Sequence, residues 1–157
     1  MAHGVDLVGR DVQLVVAAVL EQQVVTVRAT DGAAGIRLVR DASQDLVVLD
    51  AFDNARVPDE LTTADFVGEV ARVLARGGVF VANLVDEVPF ARVRSLVAAA
   101  RTIGPVVVGA EPPTVKGRRP GNVLVACGGV PRSAFGSPSP QEYRIFEGWS
   151  VRDSFGA

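Results

Sequence analysis

Apolar residues recur along this chain in two rhythms, short unbroken runs and stripes at helical spacing, and their succession predicts alternating strands and helices. Gly4 to Val8 reads as a short strand. Asp11 to Leu20 follows as a helix, with Val12, Val15, Val16, Val19 and Leu20 on one face, although valine is a modest helix former and such a helix needs packing to hold it. Val24 to Thr30 is a strand rich in β-branched residues that ends at Asp31-Gly32, and Gly35 to Asp41 a weaker helix with Ile36 and Val39 turned inward. The run Leu46-Val47-Val48-Leu49 between Asp45 and Asp50 has the pattern of a central parallel strand covered on both faces. A helix is predicted from Thr63 to Ala75, capped by Thr62 with Asp65 as reciprocal partner and stopped by Gly77-Gly78.

Val79 to Leu84 continues as an apolar strand, and Pro89 to Ile103 as a helix with Val93, Leu96, Val97 and Ala100 on its inner stripe. Pro105 to Gly109 and Asn122 to Cys127 are the last strong strands, linked through the exposed basic turn Lys116 to Gly121. The stretch Gly128 to Pro140 is crowded with glycine, proline and serine and predicts no regular element. Beyond it, Tyr143, Ile145, Phe146 and Trp149 form either a short packed segment or an exposed contact. The expected architecture is a three-layer α/β fold, a mostly parallel sheet with helices on both faces. Right-handed crossovers would gather Asp6, Asp31, Asp50 and Asn83 on one edge, where open α/β sheets bind ligands.

Composition narrows the function classes. The chain has 157 residues, 48% of them hydrophobic, and 16 basic against 18 acidic side chains give a net charge of -2. That balance argues against disorder, and with no basic run longer than Arg118-Arg119 it argues against nucleic acid and acidic membranes as partners. No span reaches the roughly 18 consecutive apolar residues of a membrane helix, and the first residues lack a secretory pattern, so a soluble cytoplasmic protein is expected. The lone Cys127 lies in an apolar run and reads as a buried, inert thiol; with one histidine, His3, neither a zinc set nor a histidine-based triad can be assembled.

The candidate chemistry is acidic. Asp50 and Asp53 flank a strand end and could together bind a cationic nitrogen or accept its proton, or Asp50 could merely cap the turn while Asp53 is solvated. Asp31-Gly32 fits either a hydrogen bond to an adenine amino group or a simple turn. Asp6 fits either the hydroxyls of a ribose or an exposed residue near the terminus.

Three segments carry a resemblance. The stretch from Asp45 through Asp53, the stretch from Val57 through Phe66, and Leu74-Ala75-Arg76-Gly77-Gly78-Val79-Phe80-Val81-Ala82-Asn83-Leu84 resemble spermidine synthase-like proteins, and Gly121 to Ala126 extends the likeness. The resemblance implies a class I S-adenosylmethionine-dependent methyltransferase fold, Rossmann-like, with S-adenosylmethionine or its decarboxylated form as donor and a small amine as acceptor. It implies Asp50 as the acid that positions and deprotonates the amine, Asp53 lining the same pocket, Asp31 and Gly32 at the adenine, and Asp6 at the ribose. The chain departs from the synthases at Asn54 to Pro58, at Phe66-Val67 where they carry an aromatic pair, and at Asn83 where they have glutamine.

By this resemblance residues 1–127 are expected to be a truncated methyltransferase-like domain, lacking an amino-terminal domain, the first strand and its glycine loop, and residues 128–157 a linker and tail. The missing strand belongs in the middle of the sheet. A fragment, a degenerate relative whose sheet is rearranged or completed by a homodimer or partner chain, and a chain competent alone are the three alternatives. A catalytically inactive remnant serving as a binding or assembly partner is the alternative function.

Overall fold

The computed structural model describes residues 5–6, 12–18, 23–28, 44–51, 57–130 and 143–156, the first three segments and residue 51 through the backbone. The expected helix at Gly35 to Asp41 and most of the Gly128 to Pro140 stretch lie outside the described residues. The strands are β1 (Val5–Asp6), β2 (Val12–Ala18), β3 (Gln23–Arg28), β4 (Gln44–Ala51), β5 (Leu74–Asp86), β6 (Val106–Ala110), β7 (Gly121–Gly128) and β8 (Arg144–Glu147). The helices are α1 (Ala64–Val73), α2 (Ala91–Ala100), the single turn α3 (Pro112–Val115) and α4 (Trp149–Phe155), with a 3-10 turn at Asp59–Thr62 before α1.

The eight strands form one sheet in the order β1-β3-β2-β4-β5-β7-β6-β8. This corrects the mostly parallel, three-layer Rossmann-like expectation: the sheet is mixed, with β1–β3 and β4–β5 parallel and the five other pairings antiparallel. Two physical causes account for the difference. Residues 12–18, expected as helix, are the strand β2, whose valines suit a pleated, half-buried surface. β2 sits between β3 and β4 and bonds both, so the backbone groups along the middle of the sheet find partners. At the other end, β6 and β7 are joined by ten residues, fewer than the dozen or so a parallel crossover takes, and they pair antiparallel.

Among the described residues, α1, α2 and α4 pack on one face of the sheet. Val47, Leu49, Phe80, Ala82, Leu84, Val123, Val125 and Cys127 alternate onto that face and are completely buried there. Phe66 of α1 meets Phe80 edge to face at 6.4 Å, and Phe155 of α4 joins Phe90 and Phe146 at 5.3 and 5.1 Å. Each fully buried side chain of this size contributes about 1.5–3 kcal/mol relative to exposure.

Helix ends explain the rest of the local geometry. Thr63, one residue after the expected cap, accepts the Phe66 amide at 3.3 Å, while the Thr62 hydroxyl donates to the Asp59 carbonyl and closes the 3-10 turn. For α2 the cap comes from seven residues away, since Asp86 Oδ2 accepts the Val93 amide at 3.0 Å. Gly77 and Gly78 do not stop α1, which ends at Val73; they lie inside β5, where a side chain on Gly128 would meet the Gly78 carbonyl oxygen at 2.2 Å. The glycines let the end of β7 close against the start of β5.

Candidate functional site

The strands β1, β3, β4 and β5 run in one direction, so their carboxyl ends share an edge. Asp50 is the next-to-last residue of β4, exposed, on the opposite side from Leu49 and the helices. Its fixed place comes from the buried run before it, because Val47 and Leu49 pin the strand to the helical layer.

One neighbour orients the carboxylate. Asn83 of β5 donates from Nδ2 to Asp50 Oδ1 at 3.1 Å. No described residue bonds Asp50 Oδ2, so one oxygen is held and the other is open to a ligand. The reading of Asp50 as a cap on its own turn is thereby set against a bond to a side chain 33 positions away. Asn83 Oδ1 is enclosed and has no hydrogen-bond partner. That orphaned acceptor carries a desolvation cost of about 1–3 kcal/mol and fixes the amide orientation, since only Nδ2 can serve a carboxylate.

Of the other expected site residues, Asp6 ends β1 in register with Arg28 of β3. Asp31, Gly32 and Asp53 lie outside the described residues. Asn83, expected on this edge and also read as a departure from the synthase pattern, lies there as the partner of Asp50, and two residues join the edge without having been expected on it, Gln13 and Arg28. Gln13 of β2 is the register partner of both Arg28 and Asp50. Its segment resembled a helix; the β-branched valines on either side were the signal for a strand.

Elsewhere on this edge, Arg119 in the exposed basic turn reaches Glu111 at 2.6 Å. Burial, reinforced by the Glu111 carboxylate, raises the ionisation of Tyr143 above the ordinary phenol value. Cys127 is buried in β7, and desolvation pushes its thiol up to about 12 despite a hydrogen bond with the Phe80 backbone. A thiol so placed is not a nucleophile at neutral pH. Among the described residues, no helix is long and apolar enough to cross a membrane.

The comparisons with known proteins converge on the resemblance seen in the sequence. The fold matches the crystal structure of a probable spermidine synthase from Corynebacterium glutamicum with a TM-score of 0.68 and 29% identity, over 85% of this chain and 52% of that one. Over 53 residues the chain is 42% identical to a polyamine aminopropyltransferase of Chromobacterium violaceum, a match spanning 34% of this chain and 20% of that protein. The chain is homologous to the spermidine synthase family. No family model matches it. It spans about half the length of the solved spermidine synthase it matches.

Proposed function

We propose that the chain is a spermidine synthase-like transferase that moves an alkyl group from an S-adenosylmethionine-type sulfonium to a small amine held at Asp50. The observation that carries this is the half-held carboxylate, oriented through Oδ1 by Asn83 and open at Oδ2. An ammonium group or amine N–H is the natural partner for such an oxygen.

In the reaction a neutral amine attacks the carbon bound to the sulfonium; the C–N bond forms, the C–S bond breaks, and its electron pair stays on sulfur as a neutral thioether. The amine proton passes to Asp50 and then to solvent. The donor is already activated, so the chain contributes alignment and a field that favours the amine, with no covalent intermediate. On this reading Asp53 lines the amine pocket, Asp6 takes the ribose hydroxyls, and Asp31-Gly32 meets the adenine. Homology supports the donor class, and the identity of these nucleoside contacts is part of the proposal.

Titration calorimetry with 5'-methylthioadenosine, the thioether product of aminopropyl transfer, tests the reading. Saturable binding near or below about 100 μM, worth about -5.5 kcal/mol, and lost in Asp31→Ala, is the expected result. Asp50→Asn is then expected to lower turnover by about 10²–10⁴-fold, the usual range for a positioned proton acceptor. Full turnover in that variant would remove Asp50 from the chemistry.

A second reading, a non-catalytic binding or assembly partner, draws on β2. The middle of the sheet is filled by an antiparallel strand. A folded sample that gives no heat with the nucleoside favours it.

A further inference from the structure

We draw no further inference here: the strongest candidate, the sheet face opposite α1, α2 and α4 where Val48, Val81, Val85 and Leu124 keep part of their surface accessible, is an apolar face with nothing in the structure to show what covers it.

Discussion

The two faces of β5 are built from the same strand and do different work. Phe80, Ala82 and Leu84 face the helices and are completely buried, whereas Val81, Asn83 and Val85 between them face the other way and keep part of their surface accessible. The same alternation separates Leu49 from Asp50 in β4. Side chains on one face hold the strand still, and a side chain on the other, one residue along, inherits that fixed position. Stability and chemistry are therefore divided by a period of two, and substitutions on the two faces are expected to fail in different ways.

The largest expected effect is on the helical side. Phe80→Ala empties a site filled against Phe66 and should lower stability by about 3–5 kcal/mol in denaturant unfolding. A loss under 1 kcal/mol would mean that this face is not the core. Gly128→Ala comes next, about 1–3 kcal/mol or more, because the new methyl would strike the Gly78 carbonyl and Gly128 has a φ of 94°. A thermal melt reads it.

On the other face, Asn83→Ala is expected to reduce turnover about tenfold by freeing Asp50, with little loss of stability because the orphaned carbonyl goes with the side chain. A steep fall in stability without a change in turnover would reverse the roles of the two faces. Thr63→Ala should cost about 1 kcal/mol through the lost α1 cap, again without touching turnover.

The last effect concerns pH and is negligible near neutrality. The folded Cys127 thiol ionises near 12 against an ordinary 9.0, so above pH 9 the unfolded chain releases a proton that the folded chain keeps. Stability should then fall with rising pH, by at most about 1.4 kcal/mol per unit, and Cys127→Ala should flatten that slope. Alkylation of the native protein at pH 8 should be slow and become fast on unfolding.

Local pattern carried the helical side of the molecule and most of the strands. The buried stripe of α1, the run through Leu49 and the spacing of Val93, Leu96 and Val97 are periodicities that read the same in sequence and in structure. Residues 12–18 are different, since Val12, Val15 and Val16 satisfy a helical face and a strand about equally well. What decides between them is a place in the middle of the sheet with open backbone on either side, which no local window contains. Asp50 was legible because a carboxylate after an apolar run is conspicuous. The part Asn83 plays was not, because it arises only when β4 and β5 pair side by side. The cap of α1 missed by one residue, Thr62 for Thr63, because both are threonines and only the preceding 3-10 turn tells them apart.

The position of β2 has one more implication. Among the described residues, β1, β2 and β3 pair with each other, and the only ladder joining them to the rest is β2 against β4, from Val12 opposite Ala51 to Ala17 opposite Leu46. The sheet thus has a seam, with Gln13 on one side and Asp50 on the other. A ligand that bound across that seam would hold its two sides together, so its affinity and the association of the two halves would be one linked equilibrium. A peptide of residues 1–28 added to a chain beginning after them would measure that link directly, as a complementation that the nucleoside strengthens.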